Sequence, residues 1–173
     1  TQSFKKWENV KTYVNWQPRF SGRLIIDDLS SLKFSYNRMV QNVHLISAGT
    51  VPLPFNTWYP SSTYLNPQIA DQVAIGYFRN MNDNMFEASV EGFYKWLDNV
   101  TDFADNADIF FNQYLDTEFR QGESTAYGFE TQLKKVKGDL SGFINYTWSK
   151  VERTIPEVNQ GKVFKANYDR RNS

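Results

Sequence analysis

The stretch AYGFETQLKKVKGDLSGFINYTWSKVE, residues 126–152, decides the fold class of this chain. Large apolar residues alternate with small or polar ones along both halves, and Lys137-Gly138 between them predicts a tight turn. The large apolar set is Tyr127, Phe129, Leu133, Leu140, Ile144, Tyr146 and Trp148. A period of two places this set on one face of a sheet and the polar set on the other. We therefore predict a β-hairpin of the kind that separates lipid from water.

Composition limits the classes of function that the chain can have. The 173 residues include 19 Lys plus Arg and 19 Asp plus Glu, so no net charge draws the protein to nucleic acid. Aromatic residues make up 17% of the chain although its mean hydropathy is −0.58, which suits half-buried strands and interfacial girdles. Cysteine is absent, which excludes disulfides and thiolate metal sites. No apolar run reaches the ~20 residues of a membrane-spanning helix.

Four further strand candidates precede the hairpin, at residues 18–26, 32–38, 71–79 and 86–96. Short polar turns at residues 27–30 and 80–84 alternate with long connections at residues 47–67, 98–125 and 153–165. This alternation is typical of outer-membrane barrels, whose turns are short on the periplasmic side and long outside. A soluble sandwich also has a period of two, but the scarcity of charge among the apolar positions favours lipid. We predict an all-β, antiparallel up-and-down meander that is a segment of a transmembrane β-barrel.

An ordered series of motifs resembles the barrel portion of TonB-dependent outer-membrane receptors. The pieces are Pro18-Arg19, SLKFSYNRMVQNVHL at residues 31–45, WYPSS at 58–62, NPQIADQVAIGYFRN at 66–80, AYGFETQLKK, SGFINYTWSK and YDRR at 168–171. The resemblance is to the Bacteroidetes-type members that carry an N-terminal carboxypeptidase-regulatory-like domain. It covers most of the chain, and its specificity lies in the order of the pieces.

The resemblance implies a 22-stranded barrel with an N-terminal plug, in the outer membrane of a Gram-negative cell. Residues 1–173 are then a partial barrel of about seven or eight strands, without the plug or the remainder of the barrel. The implied partners are outer-membrane lipid, the protein's own plug, TonB through an N-terminal segment outside this chain, and a small-molecule or oligosaccharide substrate. The implied function is binding of a scarce nutrient, such as a siderophore, vitamin or oligosaccharide, and its import into the periplasm.

Catalytic and metal chemistry has few candidates, so we predict no enzyme activity, no cofactor and no metal. The only histidine, His44, is expected to be a rim or loop residue. Asp98, Asp102, Asp105 and Asp108 do not have EF-hand spacing and are expected to form a solvated acidic loop. On the polar face, charged residues are expected to pair across strands, Glu87 with Lys95 or Glu130 with Arg79, and the alternative is contact with substrate.

Aromatic residues in the long connections are the candidates for ligand contact, because aromatic rings stack on sugars and on planar siderophore rings. The residues that we predict to contact ligand are Trp58, Tyr59, Tyr64, Phe110 and Tyr114. Two alternatives remain open from the sequence. One is a soluble all-β carbohydrate-binding module that folds alone, and the other is a passive porin-like barrel that has no plug.

Overall fold

A computed structural model describes residues 11–46, 57–105, 107, 112 and 115–173. Its main element is a seven-stranded antiparallel sheet, beside which a two-stranded sheet forms. In chain order the strands are β1 (Arg19–Asp27), β2 (Ser30–Gln41), β3 (Val43–Ile46), β4 (Thr57–Pro60), β5 (Gln68–Met81), β6 (Phe86–Phe103), β7 (Phe119–Lys135), β8 (Gly142–Thr154) and β9 (Phe164–Lys165). Strands β3 and β4 pair with each other, and the remaining strands pair in chain order. The predicted all-β antiparallel meander is confirmed.

The strand register places the large apolar side chains of successive strands on one common face. Tyr127 lies opposite Tyr94, and Phe129 lies opposite Trp148. We call this the aromatic face; it comprises Phe20, Leu24, Leu32, Phe34, Tyr36, Val73, Ile75, Tyr77, Val90, Tyr94, Trp96, Tyr127, Phe129, Leu133, Ile144, Tyr146 and Trp148. The opposite, polar face comprises Arg19, Arg23, Lys33, Gln72, Glu87, Glu91, Lys95, Glu130, Gln132, Lys134, Asn145 and Thr147.

All the short turns of the main sheet lie at one end of it. Asn82, Asp83 and Asn84 join β5 to β6 with positive φ angles of 53°, 53° and 61°, which Asn and Asp adopt more readily than most residues. The turn predicted at Lys137-Gly138 is present, and Gly138 has a φ of 101°. It is longer than predicted, however, because β8 begins at Gly142. Leu140 therefore belongs to the turn and not to the strand.

At the other end the strands run further than the sequence pattern predicted. The connection expected at residues 98–125 is strand at both of its ends, since β6 extends to Phe103 and β7 begins at Phe119. A register shift between Leu97 and Val100 separates this extension from the rest of the β6–β7 pair. The shift interrupts the alternation of side chains, which is why the pattern in the sequence stops short of the true strand ends.

Most of the buried apolar side chains of the described residues form two clusters, both at the end with the long connections. The first consists of Ala70, Leu97, Val100, Ile155 and Val158, against which Met39 and Phe164 pack. We call it the polar-face cluster, because Leu97 and Val100 lie on that side of β6. The second, the aromatic-face cluster, consists of Ile46, Leu65, Phe103 and Phe119, against which Tyr59, Ala107 and Leu115 pack. The long connections therefore fold back onto both faces of the extended β6–β7 pair.

Candidate functional site

The aromatic face carries a connected group of rings that is largely open to its surroundings. Tyr94 stacks on Tyr127 with ring centroids 5.7 Å apart, and Trp148 lies 6.1 Å from Tyr127 and 5.9 Å from Phe129. Around these rings the aliphatic side chains stay exposed, such as Ile75 at 56%. Most soluble monomers do not expose a contiguous apolar surface of this kind. Such a face requires an apolar partner, and in a membrane barrel the lipid around the wall is that partner.

Charged residues limit the apolar part of the aromatic face at both ends of β5. At the end with long connections, Arg38 donates two hydrogen bonds to Asp71, at 2.8 and 2.7 Å, and the Tyr36 hydroxyl donates to the same carboxylate at 2.6 Å. At the other end stands Arg79. The eight residue spacings from Asp71 to Arg79 correspond to about 26 Å along the strand, or about 20 Å along the membrane normal at a typical tilt. This height is close to the height of about 25 Å that the apolar band of a membrane barrel has.

A shallow groove of about 460 Å³ crosses the middle of the aromatic face. It forms over Gly92, which leaves a gap among the rings of Tyr94, Phe129 and Trp148. The side chains of the aromatic face therefore form a corrugated surface with room for a flexible apolar chain. Across this region no second sheet packs on the face within the described part of the chain, although a soluble sandwich would need one.

The polar face places residues of like charge opposite each other at two positions. Arg23 lies opposite Lys33 on β1 and β2, whereas Glu91 lies opposite Glu130 on β6 and β7. The Lys33 amino group also lies 4.0 Å from the centre of the Phe78 ring. Like charges that face each other destabilise a sheet unless another group or water separates them. The polar face is therefore suited to contact with water and with groups of both signs of charge.

The predicted ion pairs of Glu87 with Lys95 and of Glu130 with Arg79 are both wrong. Glu87 and Lys95 lie eight positions apart on the same strand, β6, and so cannot pair across strands. Arg79 lies opposite Ala88 and so belongs to the aromatic side of the sheet, whereas Glu130 points to the polar side. The cross-strand pair that forms on the polar face is instead Lys134 with Glu87, at 3.4 Å. Because both side chains are about half exposed, this pair contributes at most about 1 kcal/mol.

The connection that follows β8 covers the polar face at the end of the sheet with the long connections. Ile155 is fully buried in the polar-face cluster and lies directly over Gly122. A Cβ atom on Gly122 would lie 2.3 Å from the Thr154 carbonyl oxygen and 2.6 Å from the Ile155 Cα atom. Only glycine permits this close approach of the connection to the sheet. We call residues 155–166 the polar-face cap.

Ion pairs hold the polar-face cap and β8 against the β6–β7 extension. Arg153 pairs with Asp102 at 3.4 Å, and both side chains are mostly buried. Arg120 pairs with Glu157 at 2.7 Å. The expectation that Asp102 belongs to a solvated acidic loop is therefore wrong, because this carboxylate is 6% exposed and lies in a strand. Asp108 lies outside the described residues.

The β3–β4 hairpin covers the aromatic side of the same extension. Ile46 of β3 is buried beside Phe103 and Phe119, and the Tyr59 ring meets Phe119 edge-on at 4.9 Å. His44 is 3% exposed, with its Nε2 atom 3.2 Å from the Ser61 hydroxyl and its Nδ1 atom 3.4 Å from the Thr101 hydroxyl. The prediction of His44 as a rim or loop residue missed this burial. The two neutral hydroxyl partners suit an uncharged imidazole.

The protonation of His44 gives the docking of the β3–β4 hairpin a pH dependence. Burial lowers the pKa of His44 below its ordinary value of 6.5, and a backbone hydrogen bond with Asn66 opposes this only in part. Near pH 6 the undocked hairpin then binds more protons than the docked one. We expect docking to be strongest above pH 6.5 and to weaken as the pH falls through 6.5 toward the folded-state pKa.

Hydrogen exchange of β3 between pH 7.5 and 5.5, corrected for intrinsic exchange rates, measures this effect. The matched control is His44→Gln, which keeps an uncharged polar side chain and should remove the pH dependence. Constant protection of β3 in the unsubstituted protein over this range would contradict the prediction.

The structure separates the five residues predicted to contact ligand. Trp58 and Tyr64 are exposed, at 62% and 63%, whereas Tyr59 packs against Phe119. Phe110 and Tyr114 lie outside the described residues. The sequence pattern did not predict the partial burial of Tyr59. The alternation that places Trp58 outward and Tyr59 inward has a meaning only when β3 and β4 pair.

The meander, its two contrasting faces and its short-turn and long-loop ends define a segment of a transmembrane-type β-barrel wall. No helix among the described residues is long and apolar enough to cross a membrane. A family model described as TonB dependent receptor-like, beta-barrel matches residues 3–171, and the chain belongs to this family. The family consists of outer-membrane receptors and transporters, not of enzymes. No curated protein and no solved structure shows significant similarity to the chain.

Proposed function

We propose that this chain forms part of the barrel wall of an outer-membrane receptor that imports a scarce nutrient with energy supplied through TonB. The observation that carries the proposal is the pair of contrasting faces: one exposed and aromatic, the other charged and polar. In the proposed barrel the aromatic face contacts lipid and the polar face lines the lumen beside a plug. The end with short turns faces the periplasm, and the polar-face cap and the β3–β4 hairpin lie outside the cell.

The finer identity of the receptor is also a proposal. The motif series in residues 18–171 favours a Bacteroidetes-type receptor with a carboxypeptidase-regulatory-like N-terminal domain, encoded as part of the complete gene product. Contact of ligand with Trp58, Tyr59, Tyr64, Phe110 and Tyr114 stays a prediction. An organic nutrient such as a siderophore, a vitamin or an oligosaccharide is the proposed substrate class, since aromatic rings can stack on such molecules.

Fractionation of cells that express the complete gene product tests the proposal. We expect the protein in the outer membrane and a heat-dependent shift in its migration on gels, as folded barrels show. Recovery as a soluble periplasmic protein would refute the proposal. Uptake should also stop in a strain that lacks TonB, whereas uptake that continues would support the passive porin-like alternative.

A further inference from the structure

The β3–β4 hairpin presents a second apolar surface, on the side that faces away from the sheet. Val43 and Leu45 are 43% and 44% exposed, and Trp58, directly opposite Leu45, is 62% exposed. Pro60, opposite Val43, is also exposed. The alternate residues His44 and Ile46 are buried against the β6–β7 extension. One side of this small hairpin thus anchors it, and the other leaves an apolar surface uncovered.

The sequence around the hairpin is unusually free of charge. Residues 39–70 contain no Lys, Arg, Asp or Glu, although these types make up 22% of the chain. The other two long connections contain several charged residues each. The interfacial belts of membrane proteins are enriched in Trp and Tyr, whose rings are apolar at one end and polar at the other. Trp58 and Tyr59 of the hairpin are residues of these two types, and the uncharged Ser61, Ser62 and Thr63 follow them.

The location of the hairpin indicates what covers it. His44 contacts Thr101, which lies opposite Gln121, whereas Trp96 lies opposite Thr125. The four residue spacings between Thr125 and Gln121 on β7 correspond to about 13 Å along the strand or about 10 Å along the membrane normal. Because the hairpin lies on the aromatic side of the sheet, its free surface points away from the lumen and toward the surrounding membrane. At this height the surrounding layer consists of lipid headgroups and not of acyl chains.

We propose that the exposed surface of Val43, Leu45, Trp58 and Pro60 docks onto the headgroup layer of the outer leaflet. This inference rests on the proposed placement of the chain in the outer membrane. The surface lies on the same side of the sheet as the aromatic face, beyond the Arg38–Asp71 ion pair. Because it carries no charge, its contact with lipid does not require a particular sign of headgroup charge. Headgroup contact of Trp58 is an alternative to the ligand contact that the sequence predicts for it.

Fluorescence quenching in liposomes tests the proposal on the complete gene product. A small fluorophore is attached to a single cysteine introduced by Leu45→Cys, Ile75→Cys or Lys162→Cys in a background without other cysteines. Liposomes of phosphatidylcholine carry a nitroxide either on the headgroup or in the middle of the acyl chain. Ile75 lies in the middle of the aromatic face, and Lys162 is an exposed residue of the polar-face cap.

The expected result is several-fold stronger quenching of the Leu45 label by the headgroup nitroxide than by the acyl nitroxide. The Ile75 label should show the reverse preference, and the Lys162 label should be quenched by neither. If Ile75 is quenched as expected but Leu45 is not quenched by headgroup nitroxide, the docking proposal is wrong while the barrel placement stands. Protection of Leu45 from both nitroxides and from dissolved iodide would mean that protein covers the hairpin, which also overturns the proposal. An Ile75 label that no lipid quenches refutes the barrel placement itself.

Discussion

Gly128→Ala is expected to destabilise the barrel wall by about 1–3 kcal/mol, a large effect for one methyl group. Gly128 lies in the middle of β7, opposite Ser149. A Cβ atom there would lie 2.3 Å from the Trp148 carbonyl oxygen and 3.0 Å from both the Ser149 Cα atom and the Phe93 ring. The Phe93 ring can shift, but the β8 backbone cannot move without disturbing its hydrogen bonds to β7.

Urea unfolding of the complete gene product in lipid vesicles measures the loss. Gly142→Ala is the matched control, because a Cβ atom on Gly142 meets nothing within 4 Å. The control should change the free energy of unfolding by no more than about 0.5 kcal/mol. Equal unfolding midpoints for the two variants would show that β8 is not packed against Gly128 as described.

Ile155→Ala is expected to loosen the polar-face cap. Ile155 is 0% exposed and packs with Ala70, Leu97 and Val100. Removing its side chain leaves a cavity that the rigid strands beneath cannot fill, so the local free energy of opening should fall by about 2–5 kcal/mol. The rest of the barrel wall should keep its stability, because residues 155–166 contact the sheet only at the end with the long connections.

Hydrogen exchange of residues 155–166 separates this local opening from global unfolding. Val163→Ala, at a side chain that is 60% exposed, is the control and should leave protection unchanged. Equal protection of the cap in the two variants would refute the assignment of Ile155 as its anchor. In a transport assay, a loosened cap would also reveal whether this segment controls access to the lumen.

The central strands were predictable because each has a long, uninterrupted alternation. From Val73 to Tyr77, or from Phe129 to Leu133, every second residue is apolar or uncharged, and each face meets one kind of surroundings throughout. The strand extension beyond Trp96 was not predictable, since the register shift near Val100 changes which residues point to which face. The β3–β4 pair was missed for a related reason. Its strands have only four residues each, and the stretch between them contains Pro52 and Pro54, a pattern that predicts a loop.

The sequence by itself determined the all-β meander, its two contrasting faces and the difference between its short-turn end and its long-connection end. It also determined the resemblance to TonB-dependent receptors. These features depend on the alternation of residues within each strand and on the order of the strands along the chain. Both are visible in the linear sequence. Only the tertiary structure decided that Asp102 and His44 are buried, that Ile155 covers Gly122, and that Trp58 is exposed while Tyr59 is not. Those outcomes depend on which connection folds back onto which face, and contacts between residues tens of positions apart leave no periodic trace in the chain.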